Sequence, residues 1–212
     1  MNTGFDKKGY LLAQNFFDTA MLGLLQEYFK IKYQIVKHHN FVKNEPGPYA
    51  VSSGYNFYAD SLTESISINN LNKISKLLDI ELLPTYSYTR IYEKDDVLVP
   101  HIDRPACEVS ATCPIITSND CPSVIYISNY TFDRKKDKVI TTLEEVKKRG
   151  DYSEVKLYPG DALFYKGCEK YHWREPLKED LLIQFFMHYV DKNGVNNEWH
   201  LNKRPFYGYY RK

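Results

Sequence analysis

Apolar positions recur at helical spacing twice before residue 80 and then give way to short runs of β type. Met21, Leu22, Leu24, Leu25, Tyr28 and Phe29 follow the i, i+3, i+4, i+7 pattern, and Asp18 stands where an N-cap belongs. Ser61-x-x-Glu64 has the form of a capping box ahead of a second apolar stripe, Leu71, Ile74, Leu77 and Leu78. Glu45-Pro46-Gly47-Pro48 predicts a loop between the two helices. From about residue 84 the period shortens. Runs rich in Tyr, Val, Ile and Thr occupy 84–92, 97–101, 108–116, 123–128, 153–158, 161–166, 170–174 and 181–190. Short strands broken by turn signals such as Pro159-Gly160 predict a sandwich or barrel.

One insertion interrupts the strands. Residues 131–150 open with the charge run Asp133–Lys138, read as a solvated loop, and continue as a short helix from Thr141-x-x-Glu144 to Gly150. After Asp191 an Asn193-Gly194 turn leads into Trp199, Phe206, Tyr207, Tyr209 and Tyr210, read as a terminal aromatic strand packed on the sheet. No internal repeat or low-complexity tract interrupts the chain. The expected organisation is one domain over 1–212: a helical support (1–83), a β core (84–191) and an aromatic tail (192–212).

Composition narrows the class. With 43% hydrophobic and 26% charged residues in 212, the chain is an ordinary globular one. A net charge of +1 argues against a nucleic-acid binder driven by bulk charge and against a polybasic membrane surface. An aromatic share of 15%, with 19 Tyr and 11 Phe, points to β structure and aromatic-walled pockets. Four cysteines are too few for a disulfide scaffold, no apolar segment opens the chain, and no run of 18 apolar residues occurs. A reducing cytoplasm is the expected compartment.

The candidate chemistry lies in two segments. Pro100-His101-Ile102-Asp103 places an imidazole and a carboxylate two residues apart, on one face if the segment is extended. About seventy residues later, Tyr158-Pro159-Gly160-Asp161 and a hydrophobic strand lead to His172. Two histidines and one carboxylate, with the rest of a metal's sphere open, form the facial triad that suits non-heme Fe(II) oxygenases. The cysteines lack the C-x-x-C spacing of a zinc site, and Cys168 has no group to orient a cysteine–histidine nucleophile. His38, His39 and His200 read as surface residues, and His188 as a residue behind the metal ligands or, the favoured reading, a satisfied core histidine.

On these motifs residues 84–191 resemble the Fe(II)/2-oxoglutarate oxygenases, most closely the prolyl-4-hydroxylase-like branch. The resemblance rests on Tyr92 nine residues before His101, the Pro-His-x-Asp core, Gly160-Asp161 before an apolar strand, and His172 with Pro176. It implies an α+β, mainly β protein: a double-stranded β-helix (jelly-roll, cupin-like) core with the N-terminal helices packed on it. It also implies Fe(II) on His101, Asp103 and His172, 2-oxoglutarate as cosubstrate, O2, and room for ascorbate as an accessory reductant. The activity implied is hydroxylation of an unactivated carbon, with a peptidyl or free amino acid, such as proline, as substrate.

One departure stands out. The family places a Lys or Arg nine or ten residues after the distal His, where this chain has Leu181 and Leu182. A buried carboxylate needs a partner. Arg174, two residues beyond His172 on the same strand face, is the first candidate, against an ion pair with Glu108 or Glu175. Arg90, sharing a face with Tyr92, is second. Arg104 is third, because its odd offset from Asp103 turns it outward. Tyr92 is a candidate hydrogen-bond donor to the cosubstrate. A cupin-like metal dioxygenase that does not use 2-oxoglutarate, and a non-catalytic ligand-binding barrel, remain the competing readings.

Overall fold

A computed structural model describes residues 4–47, 50–140 and 142–209. The elements are α1 (Gly4–Lys8), β1 (Tyr10–Ala13), α2 (Thr19–His38), β2 (Tyr55–Tyr58), α3 (Ser61–Asn69), α4 (Leu71–Leu78), β3 (Leu82–Glu93), β4 (Leu98–His101), β5 (Val109–Thr117), β6 (Ser123–Ser128), α5 (Leu143–Arg149), β7 (Tyr152–Leu157), β8 (Ala162–Lys166), β9 (His172–Arg174) and β10 (Leu181–Asp191). All eight predicted strands form.

They pair antiparallel in two sheets, ordered β1-β8-β5-β10-β3-β2 and β4-β9-β6-β7. Strands β3 to β10 alternate between the sheets except at the β6–β7 hairpin, in the manner of a jelly roll, so the predicted double-stranded β-helix core is the observed one. The N-terminal segment does more than support it: β1 pairs with β8 and β2 with β3, extending the larger sheet at both edges.

The larger sheet is covered on both faces, which explains the long apolar run of β10. Ile183, Phe185, Met187 and Tyr189 face the helices and pack with Leu25 and Phe29 of α2 and Ile74 and Leu78 of α4. Leu182, Gln184, Phe186 and His188 take the opposite face, toward the barrel interior. Across β3 their partners are Tyr92, Arg90, Tyr88 and Tyr86. Polar residues alternate along a strand with both faces covered, so they mark the functional interior.

Helix α2 is capped by Asp18, whose side chain accepts from Met21 N. Its buried stripe is Leu25, Phe29 and Val36, and Leu24 is 54% exposed, outside the expected face. At its far end Tyr33, Lys37 and Lys43 surround Glu93 at the end of β3, at 2.7, 2.9 and 3.0 Å. Burial raises the Glu93 pKa, but the hydrogen bonds from Lys37, Tyr33 and Lys43 win and hold it at about 2.

Several expected boundaries shift. The cap of α3 is Asp60, which accepts from Leu62 N and Thr63 N, so Ser61 is the first helical residue. Glu64 is not a box partner; it is buried against Arg204 at 2.5 Å. Thr141 lies outside the described residues, as does Pro48. Thr142 caps α5 and exchanges hydrogen bonds with Glu145, one residue later than expected. Among its described residues the tail forms no strand: 197–203 form an irregular 3₁₀ segment, and Phe206 and Tyr207 are exposed. Tyr210 lies outside the described residues. No helix among the described residues is long and apolar enough to cross a membrane, and all four cysteines are free thiols.

Candidate metal centre

Strand β4 delivers His101 opposite His172 of β9, their Cα positions being register partners. The chain leaves the β4 ladder after His101, and Asp103 is held by its own backbone N–H, which donates to Gly167 O at 2.8 Å. The result brings all three predicted residues together. Asp103 Oδ1 lies 3.6 Å from His101 Nε2 and 3.8 Å from His172 Nε2. One ligand atom from each falls within 4.8 Å of the others.

Both imidazoles are fixed in the same tautomer. His101 Nδ1 donates to Val99 O at 2.8 Å and His172 Nδ1 to Lys170 O at 3.0 Å. Carbonyls only accept, so Nδ1 is the donor in each ring and Nε2 is the atom turned to the centre, free to ligate in the neutral form. Burial, with His172 alongside, holds His101 well below the usual imidazole value, so it is neutral as a metal ligand must be. Burial also raises the Asp103 carboxyl, against the pull of His172 and a hydrogen bond from Ser110. The donor set of two imidazole nitrogens and one carboxylate oxygen, gathered within 4.8 Å, fits a divalent metal.

Residues outside the motif support this arrangement. Ser110 Oγ donates to Asp103 Oδ2 at 3.0 Å and lies 2.9 Å from His188 Nδ1. His188 is thus buried and hydrogen-bonded, and it stands behind a triad residue through Ser110. It lines the cavity, lies tilted against Tyr86 with ring centroids 4.6 Å apart, and is pushed down to about 3 chiefly by burial. A Cβ on Gly167 would collide with Cys107 O, Asp103 Oδ2 and Ser110 Oγ. Gly167 is required there by the close approach of three groups. Gly167→Ala should lower metal affinity by about 10–100-fold, the usual cost of disturbing outer-shell support. Metal titration of the purified variant checks this; unchanged affinity would show that Asp103 is not positioned through Gly167.

The triad opens on a cavity of about 410 Å³, walled by Tyr58, Tyr86, Tyr88 and Phe186 and bordered by Arg90 and Arg104. Arg104 is thus at the cavity mouth and not turned away from it. Arg90 donates through Nε to Asn56 Oδ1 at 2.8 Å and through Nη1 to the Tyr92 hydroxyl at 3.3 Å. Arg174 is buried deeper, with Nη1 on Ser123 Oγ at 2.6 Å and Val124 O at 2.5 Å. Its Nε and Nη2 are buried without a hydrogen-bond partner. The expected alternative for Arg174 does not form: Glu175 pairs with Lys147 and Glu108 accepts from Asp191 N. Among the described residues the ion pairs include none of Arg90, Arg104 and Arg174. Arg174 and Tyr92 do not line that cavity; they border a second one of about 240 Å³, with Ser123 and Leu182 among its walls. Burial pulls the Arg174 guanidinium below its ordinary value, partly offset by Tyr92 and Tyr165.

No family model matches the chain, and no curated protein matches it. Solved structures do. AviO1 from Streptomyces viridochromogenes Tue57 aligns over 90% of this chain and 93% of its own, with a TM-score of 0.68 and 10% identity. SnoK, a non-heme α-ketoglutarate-dependent carbocyclase from nogalamycin biosynthesis, aligns over 88% and 81%, at 0.66 and 10%. HygX from Streptomyces hygroscopicus, solved with nickel and 2-oxoglutarate, aligns over 91% and 86%, at 0.55 and 16%. At such identities the likeness is one of architecture, and the chain has the jelly-roll fold it shares with SnoK and HygX.

Proposed function

We propose that the protein is an Fe(II)- and 2-oxoglutarate-dependent oxygenase that hydroxylates an unactivated carbon. The observation that carries this reading is the free edge of Arg174. Nε and Nη2 of a guanidinium point the same way and form the fork that takes a carboxylate side-on. Here both are buried and unpartnered, on the strand that carries His172. A buried cation with two idle donors is costly unless an anion arrives to meet it.

His101 Nε2, an Asp103 oxygen and His172 Nε2 would hold the iron. When bound, iron with O2 supplies the oxidation of a C–H bond to C–OH while 2-oxoglutarate is converted to succinate and CO2. The chain's own residues do the rest. Arg174 takes the far carboxylate of the cosubstrate, with Arg90 and Tyr92 beside it. Ser110 keeps Asp103 oriented and its second oxygen occupied. Phe186 and the tyrosines keep water from the cavity wall. HygX with nickel and 2-oxoglutarate bound supports this cofactor set by analogy of fold. The narrower assignment, an amino-acid or peptidyl substrate such as proline, rests on the motif resemblance alone.

Leu181 and Leu182, where the family has its base, favour a second reading: a metal-dependent dioxygenase that does not use 2-oxoglutarate. Anaerobic titration of the Fe(II)-loaded protein with 2-oxoglutarate separates the two. A weak visible charge-transfer band, absent in His172→Ala, is expected. Bound iron with no band would set the second reading ahead.

A further inference from the structure

We infer that the mouth of the triad cavity is a carboxylate-binding subsite built on Arg104 and Asn202, so that the substrate is a small acid with a flat apolar body. The inference rests on the oxygenase reading and adds its substrate class. Its starting point is charge. Asp103 is the sole acidic residue among the cavity's described lining, and the metal claims it. The two carboxylates of the cosubstrate go to the metal and to Arg174. Arg104 is left at the mouth, one residue from Asp103, whose charge it feels, and it forms no ion pair among the described residues.

Arg104 is fixed for such a role. Its guanidinium lies over the Tyr86 ring, 4.9 Å from the centroid, and Nη1 donates to Asn202 Oδ1 at 2.8 Å. Of five guanidinium donors, Asn202 takes one. Stacking on Tyr86 holds the plane, as suits recognition of a planar carboxylate. Asn202 is held in turn, its Nδ2 donating to the Tyr58 hydroxyl at 2.5 Å.

The backbone that supplies Asn202 is strained. Leu201, Asn202 and Lys203 have φ of 56°, 54° and 58°, three consecutive side-chain-bearing residues in the left-handed region. The turn persists because Arg204 ties the next residue to Glu64 Oε1, Thr85 O and Tyr209 O at 2.5, 2.9 and 3.2 Å. Strain of this kind collects at ligand clamps. Below the clamp, Tyr58 and Tyr86 (centroids 5.0 Å apart), His188 and Phe186 form a continuous aromatic wall. The cavity's 410 Å³ is in the range of small-molecule sites. An acidic head on Arg104 would lay an apolar body along that wall, toward the triad.

Calorimetry of the full chain with 3-phenylpropanoate and with its uncharged amide tests this. The acid should bind about tenfold tighter or better, the worth of one charge-assisted contact. That preference should vanish in Arg104→Gln, return in part in Arg104→Lys and persist in Arg174→Met. Equal affinity of acid and amide, no binding of the acid, or a preference retained in Arg104→Gln would overturn the subsite. A preference that resides on Arg104 in a protein giving no 2-oxoglutarate band would instead remove the 2-oxoglutarate-dependent reading and leave the subsite standing.

Discussion

Asp103→Ala should abolish Fe(II)-dependent succinate formation while leaving the fold intact. The expected loss exceeds the ~10–100-fold typical of outer-shell lesions, because a direct oxygen donor is removed and two imidazoles are left to hold the ion. Stability should move the other way. Asp103 is mostly withdrawn from water, and burial raises its carboxyl against the pull of His172, Ser110, Arg104 and Arg90. Removing it relieves that desolvation, so the metal-free variant should melt no lower than the metal-free parent. Metal content after gel filtration, succinate yield and a thermal melt of the apo forms check the three parts. Turnover near the parental level would sink the triad assignment.

Much of this was legible because the chain's local rules and its fold agree. Each of the eight strand runs is bounded by turn chemistry, and each forms within a residue or two of its expected limits, as Gly160 (φ 95°) at the β7–β8 turn illustrates. His101 and His172 sit on strands, where period-two reasoning holds. It fails one step later. Strand β4 ends at His101, so no alternation governs Arg104, and the segment through Pro105–Cys107 carries it to the cavity mouth.

Two other differences have one cause, a partner distant in sequence. Glu64 has the spacing of a capping residue, yet Arg204, 140 residues on, takes it, and Asp60 caps the helix instead. The tail's aromatics promised a strand, but the polar groups of Asn202 and Arg204 decide its course. Ser110 and His188 carried a usable signal. On β5 and β10, strands with both faces buried, Ser110, Thr112, Gln184 and His188 recur at period two. Polar groups so placed cannot face solvent and must line an interior site.

The same logic gives the largest effect expected at the cosubstrate end of the barrel. Arg174→Met should raise the 2-oxoglutarate concentration needed for half-saturation by ~30-fold or more, since truncating one partner of a buried charge pair costs about 2–5 kcal/mol. Iron affinity measured without 2-oxoglutarate should not change, because no triad atom bonds to Arg174. Methionine fills the volume without the charge, and the groups it abandons, Ser123 Oγ and Val124 O, are ordinary polar atoms; Ser123 Oγ keeps its bond to Gln184 at 3.3 Å. Arg90→Met is the companion measurement. Arg90 faces the triad cavity and shares Tyr92, but its Nε is already engaged by Asn56, so its loss should weaken 2-oxoglutarate binding less. If Arg90→Met carries the larger loss, the roles of the two arginines are exchanged and the far carboxylate lies on β3, across the ladder from Gln184.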